Sequence, residues 1–300
     1  MYLGLREVFD YQKCANCGCM QLLDVPLNLA KYYPADKYYS FDTGNKKFVK
    51  TDVLRKIKAA YILYGKNKLA GSLLSIGYKI PEFFEWLKIA GVEFDDAILD
   101  VGCGGGGLLF ALCKNGFTKL SGIDPFNQDD LDYGSFKIYK KEIFEMDGQY
   151  DFIMLNHVFE HIDNPLPMLI KLYELLKPGR FLLIRTPVMG TYAWAKYREN
   201  WMALDAPRHL IIHTVKSMQL LATEAGFSIT KTVFDGNGFS LIGSEQYKRD
   251  IPLVDIKSRV TNKKSTLFTP QQITDYKAIA EKTNHENNGD QAAFYLYKPA

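Results

Sequence analysis

The stretch Ile98-Leu99-Asp100-Val101-Gly102-Cys103-Gly104-Gly105-Gly106-Gly107-Leu108 decides how this chain folds. A short apolar run delivers the chain into consecutive glycines, and an apolar pattern of helical type starts at Leu108. The reading is strand, loop, helix. Residues without a Cβ let the loop backbone approach a ligand, and the helix that follows presents its N-terminus at the same place. Gly102, Gly104 and Gly107 satisfy the G-x-G-x-x-G spacing of dinucleotide-binding proteins. The loop therefore predicts a nucleotide-like cofactor, while the glycines alone leave its identity open.

Outward from this loop, short apolar runs alternate with helical patterns, the signature of a doubly wound sheet. Strands are expected over Ala97 to Val101, Leu120 to Asp124, Phe136 to Tyr139, Phe152 to Leu155 and Phe181 to Arg185, with helices near Leu108 to Lys114 and Pro165 to Leu176. Phe227 to Phe234 and Gly238 to Glu245 flank Asp235-Gly236-Asn237, which reads as a hairpin. A polar stretch from Lys257 to Ser265 precedes a short helix and a final strand-like segment, Ala293 to Lys298. The predicted class is α/β: a Rossmann-like, doubly wound, mostly parallel sheet with an antiparallel edge hairpin. Upstream, Leu54, Ile57, Ala60, Tyr61 and Tyr64, then Phe83, Phe84, Leu87 and Ile89, recur at helical spacing, and Gly91 ends the last helix. Residues 1–52, rich in Tyr, Cys and Pro, read as a small irregular N-terminal cap, and residues 53–300 as the main domain with its N-terminal helices.

Two acids refine the cofactor. A carboxylate at the end of the first strand, Asp100, would repel a dinucleotide's pyrophosphate and attract the ammonium of S-adenosylmethionine. Asp124 ends the second strand, at the usual remove from the loop for a carboxylate that accepts both ribose hydroxyls. The purely structural alternative has Asp124 capping a turn before Pro125 and Asp100 capping the glycine loop.

Leu99-Asp100-Val101-Gly102-Cys103-Gly104, Gly122-Ile123-Asp124, Tyr150-Asp151-Phe152-Ile153-Met154, Glu160-His161 and Leu176-Lys177-Pro178-Gly179 follow one another in that order. Over roughly Ala97 to Glu245 they resemble the successive motifs of class I S-adenosylmethionine-dependent methyltransferases. The resemblance implies that Asp100, Gly102, Cys103, Gly104 and Gly106 hold the methionine moiety and that Asp124, with Pro125, holds the ribose. It implies further that adenine lies along Lys141 to Phe144, against Ile143 and Phe144, and that Asn156 and His157 face the methyl group. The family's acidic or polar adenine contact is matched only loosely, by Glu142.

Methyl transfer is an in-line displacement, so the protein chiefly aligns the nucleophile and removes its proton. Histidine is the natural base. Of the five histidines, His157 and His161 follow the fourth strand, His209 and His213 follow the fifth, and His285 stands apart. His157, His161 and His209 are the candidate bases, the plain alternative for His161 being a hydrogen bond that buttresses its loop. Asp205-Ala206-Pro207-Arg208-His209-Leu210 resembles a segment that closes over the acceptor pocket in one branch of the family. Asp205 and Arg208 either pair as scaffold or touch substrate. Tyr192, Trp194, Tyr197 and Trp201 read equally as a lid offering flat surfaces to a sugar ring and as the packed face of an inserted helix. Tyr192, Trp194, Arg208 and His213 are the candidate acceptor contacts.

Cys14-Ala15-Asn16-Cys17 has the spacing of a zinc knuckle, and Cys19 offers a third sulfur. A closed structural site needs four ligands, and neither a second pair nor a nearby histidine exists. The run Tyr11 to Phe41 resembles the N-terminal part of bacterial methyltransferases that modify sugars or cell-surface glycans, where another cysteine pair precedes this one. Its absence implies that Met1 is an internal start or that the metal site has decayed. Zinc on Cys14 and Cys17 is one candidate; S-adenosylmethionine is the expected cofactor, and a nucleotide sugar or glycan precursor the acceptor that the resemblance implies.

Composition narrows the remaining classes. With 300 residues, 47% hydrophobic and 24% charged, the chain has enough material for a full core. The net charge of +3, from 37 basic and 34 acidic residues, lacks the concentrated positive field that a nucleic-acid backbone requires. No run approaches the roughly 20 apolar residues of a membrane span, and the N-terminus lacks the order of a signal peptide, so a cytoplasmic protein is expected. Two other readings stay open: an NAD(P)-dependent sugar oxidoreductase or epimerase, disfavoured by Asp100 and by the lack of a well-placed Tyr-x-x-x-Lys pair, and a non-catalytic cofactor-binding protein.

Overall fold

The computed structural model describes residues 2–33 and 50–300. Pro34 to Phe41, the later part of the segment likened above to glycan methyltransferases, lie outside the described residues.

An eight-stranded sheet carries the fold. Its parallel strands are β3 (Ala97–Val101), β4 (Lys119–Ile123), β6 (Lys137–Tyr139), β7 (Tyr150–Asn156) and β8 (Leu176–Pro187). Three more strands pair antiparallel: β5 (Leu131–Asp132), β10 (Ser228–Phe234) and β11 (Gln291–Tyr297). The order across the sheet is β10-β11-β8-β7-β3-β4-β6-β5. β3 alternates its apolar residues between two cores, which is why its sequence is apolar almost throughout. Ile98 packs with Leu87 of α3 (Phe83–Ala90) and with Leu109 and Leu112 of α4 (Gly107–Lys114). Leu99 turns to Leu169 and Leu172 of α5 (Pro165–Leu175) and to Met218 and Ala222 of α7 (Val215–Glu224). Helices α1 (Val53–Tyr64) and α2 (Lys68–Ser75) precede α3, and the side chain of Asp52 caps α1 by accepting from the Leu54 and Arg55 amides.

The chain runs from β3 to β4 and β6 on one side and returns to β7 and β8 on the other. The topological switch therefore lies between β3 and β7, and the crevice at their C-terminal ends is where such sheets bind ligands. The glycine loop leaves the end of β3 there, and Asn156 and His157 stand at the end of β7.

Three expectations change. Gly238 to Glu245 is not the second strand of a hairpin: α8 spans Phe239–Tyr247, and β10 pairs instead with β11, from Ser228↔Tyr297 to Phe234↔Ala292. Gly238 takes φ +85 and Asn237 accepts the Phe239 amide, so the turn opens a helix. The antiparallel edge is real, but its partner comes from the far end of the chain. The helix expected to be short is α9, 16 residues long (Pro270–His285), capped by Thr269 and begun by proline. The cap contains a ribbon, β1 (Tyr11–Lys13) with β2 (Met20–Leu22), which β9 (Ile211–Ile212) extends to three strands. Tyr11 Oη donates to the His209 carbonyl at 2.8 Å, and Thr214 Oγ1 to the Cys17 carbonyl at 2.7 Å. The ribbon is thus tied to the loop that carries His209. Among the described residues no helix is long and apolar enough to cross a membrane.

Candidate active site

Gly102 follows β3 at φ +69, and a Cβ built on it would lie 2.4 Å from Val158 Cγ2. Only glycine fits both the conformation and the space. The loop amides are largely spoken for: Gly102 and Cys103 donate to the Ile123 carbonyl (2.8 and 3.1 Å), Gly106 to the Cys103 carbonyl (2.9 Å), and Gly104 to Asp124 Oδ2 (2.8 Å).

Asp124 also accepts the Phe126 amide at 3.0 Å, so it does cap the turn at Pro125. Each of its oxygens keeps a lone pair for a further donor. Asp100 differs. The residue is 4% exposed, and among the described residues no hydrogen bond reaches its carboxyl. Burial, reinforced by the facing Asp124, pushes it up to about 8.

At the end of β7, Asn156 Oδ1 accepts from Arg185 Nη1 at 3.1 Å. His157 adopts φ +57, sparsely populated for a residue with a Cβ, and its side chain is 36% exposed. Its Nδ1 lies 3.1 Å from Glu160 Oε1, and its Nε2 is 3.1 Å from Arg185 Nη1. Because the guanidinium can only donate and the carboxylate only accept, His157 carries its proton on Nδ1 and a lone pair on Nε2. Burial alone would raise the Glu160 carboxyl; the His157 hydrogen bond and the facing imidazoles instead hold it well below the usual range. Thr186 Oγ1 donates to its second oxygen at 2.9 Å.

His161 and His209 meet edge to face, ring centroids 4.8 Å apart, beside Glu160. Burial, with the neighbouring His209, holds His161 at about 4, so it is neutral at pH 7. The three candidate bases therefore gather around one carboxylate. Tyr33 of the cap reaches the same place: its ring stacks on Phe126 (6.0 Å, 8°), and its hydroxyl lies 3.1 Å from His161 Nδ1. A cleft lined by Lys79, Ile80, Pro81, Glu82, Phe83, Trp86, Leu108 and Asn156 opens beside the start of α4 and the end of β7.

With this geometry in place, comparison with known families is decisive: a family model described as a methyltransferase domain matches residues 50–232, more than half of the chain. The chain belongs to this methyltransferase-domain family. It is 31% identical over 111 residues to a ubiquinone biosynthesis O-methyltransferase of Shewanella halifaxensis, covering 33% of this chain and 47% of that protein. It is 33% identical over 110 residues to a malonyl-[acyl-carrier protein] O-methyltransferase of Priestia megaterium, covering 32% and 38%. The chain thus spans about half the length, or less, of these curated relatives. Among solved structures it is similar to a phosphoethanolamine N-methyltransferase of Haemonchus contortus, with 15% identity, a TM-score of 0.47, and 94% and 62% of the two chains covered.

S-adenosylmethionine is the cofactor of this methyltransferase domain, and the residues present fit it. Asp100, buried and unbonded, matches its ammonium, and the remaining lone pairs of Asp124 match ribose hydroxyls. Ile143 and Phe144 divide. Ile143 is 2% exposed and belongs to the core, so only the exposed Phe144 is free to meet adenine.

The acceptor candidates also divide. Trp201 and Tyr197 are core residues, which decides in favour of packing over an aromatic lid for that pair, while Tyr192 and Trp194, on α6 (Tyr192–Tyr197), are half-buried against the same cluster. Arg208 pairs with Asp205 and lies over the Tyr2 ring at 4.0 Å, as scaffold. His213 is fully buried against Phe159 (centroids 5.0 Å), out of reach of an acceptor. Sequence reasoning missed Arg185, Thr186 and Tyr33 as members of the site. Arg185 and Thr186 sit in an apolar strand, where a buried arginine is the one visible signal.

The cysteines gather as the spacing implied. The sulfurs of Cys14, Cys17 and Cys19 lie within 4.8 Å of one another, those of Cys17 and Cys19 at 3.4 Å. Hydrogen bonds, that of the Cys17 amide foremost, bring Cys14 down to about 7, while burial pushes Cys19 up to about 12. Among the described residues no histidine or carboxylate joins them, so the donor set fills three corners of a zinc tetrahedron and no chemistry is assigned to it.

Proposed function

We propose that this chain transfers the methyl group of S-adenosylmethionine to a hydroxyl of a small acceptor, a sugar or glycan precursor, and that His157 takes the hydroxyl proton. The observation that carries the reading is the His157–Glu160 pair at the mouth of the cofactor crevice: a carboxylate fixes the tautomer of an imidazole whose Nε2 keeps a lone pair. When bound, the cofactor supplies an electrophilic methyl on a sulfonium. His157 Nε2, released from Arg185, would accept the proton as the acceptor oxygen forms its new bond to the methyl carbon and that carbon's bond to sulfur breaks, with S-adenosylhomocysteine as the leaving group, and Glu160 would stabilise the imidazolium that results. Asn156 and Arg185 set the rim of the site, and the half-exposed ring of His157 faces solvent for proton release.

Transfer to oxygen is supported by the two relatives, both named O-methyltransferases. The sugar-like acceptor rests on the resemblance of the cap to glycan methyltransferases and on the cleft, where Lys79, Glu82 and Asn156 offer polar contacts and Trp86 an aromatic edge. The test is a radiolabelled methyl-transfer assay over nucleotide sugars, free glycans, a catechol and a malonyl thioester. Labelling of a sugar class by wild type, lost in a His157 variant that still binds S-adenosylhomocysteine, supports the proposal. Labelling confined to the catechol or thioester would overturn the acceptor.

A further inference from the structure

The cluster behind His157 holds more ligating atoms than a single base needs. Atoms of Glu160, His161 and His209 able to hold a metal all lie within 4.8 Å of one another. His161 Nδ1 is 2.8 Å from the Arg208 carbonyl oxygen, and His209 Nδ1 is 2.8 Å from the Ala203 carbonyl oxygen. A carbonyl only accepts, so each ring spends its N–H on the backbone and keeps Nε2 as a bare lone pair. His209 Nε2 lies 3.9 Å from Glu160 Oε1 and 3.7 Å from Asp205 Oδ2, acceptor facing acceptor with no hydrogen between them. These separations exceed a hydrogen bond and suit two ligands bound to one cation at roughly 2.0–2.2 Å each.

The surroundings are those of a metal shell. Backbone carbonyls fix both imidazoles, and Thr186 and His157 fix the carboxylate, which is fully buried. Two imidazole nitrogens with one carboxylate oxygen suit a first-row divalent cation of the manganese-to-zinc series better than magnesium or calcium, which prefer oxygen alone. We propose that Glu160, His161 and His209 bind one such cation and leave coordination positions open. The binding itself does not depend on the acceptor reading above.

The test uses the full chain carrying Cys14→Ser, Cys17→Ser and Cys19→Ser, so that no sulfur site competes, titrated with Co²⁺ and with Mn²⁺. Visible absorption, electron paramagnetic resonance and elemental analysis report the bound ion, and S-adenosylhomocysteine binding reports folding. We expect one ion per chain, a cobalt spectrum without thiolate charge transfer, and a loss of affinity above a hundredfold in His209→Ala and in Glu160→Gln. No retained ion, or equal retention in both variants, overturns the proposal. Should the serine variant fail to fold, the cobalt spectrum of the unaltered chain decides between nitrogen–oxygen and purely sulfur ligation. Ion binding without any sugar methylation would defeat the acceptor reading and leave the metal site standing.

Discussion

Asp100 and Asp124 close neighbouring strands with opposite bonding: Asp124 accepts two backbone amides, Asp100 accepts none among the described residues. An acid left bare beside another acid costs stability, and on the proposed assignment the ammonium of the cofactor offsets that cost. Asp100→Asn should therefore raise stability and lower affinity together. We expect a gain of roughly 1–3 kcal/mol at pH 8, read by denaturant unfolding, and a loss of affinity for S-adenosylhomocysteine of about 2–4 kcal/mol.

The sign of the pH dependence follows from the same carboxyl. Its folded pKa is raised to about 8, so its contribution to stability is fullest below the ordinary carboxylate range and is lost as pH rises towards 8. Binding an ammonium favours the ionised form and expels the proton. Calorimetry near pH 6.5 in two buffers of different ionisation enthalpy should show proton release on binding S-adenosylhomocysteine. Asp100→Asn should remove the difference; identical heats in both buffers for wild type would contradict the assignment.

Gly102→Ala brings a methyl to within 2.4 Å of Val158 Cγ2 at a positive φ. The expected cost is about 1–3 kcal/mol, with weakened cofactor binding. Val158→Ala in the same chain should recover the clash part and leave the backbone part, so partial rescue in unfolding curves is the expected result.

These features were legible to different degrees. Ala97 to Val101 coincides with β3, because a strand buried on both faces and a glycine run leave little room for another reading. The hairpin at Asp235-Gly236-Asn237 failed because β10 finds its partner in β11, a pairing across more than fifty residues of intervening chain that no local pattern announces. Among the site residues, Asp100, Asp124 and His157 stand at strand ends where motif spacing puts them. Glu160 and its neighbour His161 lie in the short helical turn Phe159–His161 beyond β7, His209 joins them only through the fold, and Tyr33 arrives from the cap. His213 shows the converse: residue type suggested an acceptor contact, and burial placed it in the core; for Tyr197 and Trp201, which read equally as lid and as packing, burial decides for packing.

His157→Asn separates binding from chemistry, since asparagine tolerates the positive φ that His157 adopts. We expect affinity for S-adenosylhomocysteine within a few-fold of wild type and turnover lowered by roughly 10²–10⁴. Retained turnover in a folded variant would remove His157 from proton transfer.

The central claim, that Asp100, the glycine loop and Asp124 together form an S-adenosylmethionine site, is tested most directly by calorimetric titration of wild type and Asp124→Ala with S-adenosylhomocysteine and with NAD. The predicted result is saturable, one-to-one binding of S-adenosylhomocysteine by wild type, its loss in the variant, and no heat with NAD. Tight NAD binding with no response to S-adenosylhomocysteine would contradict the account.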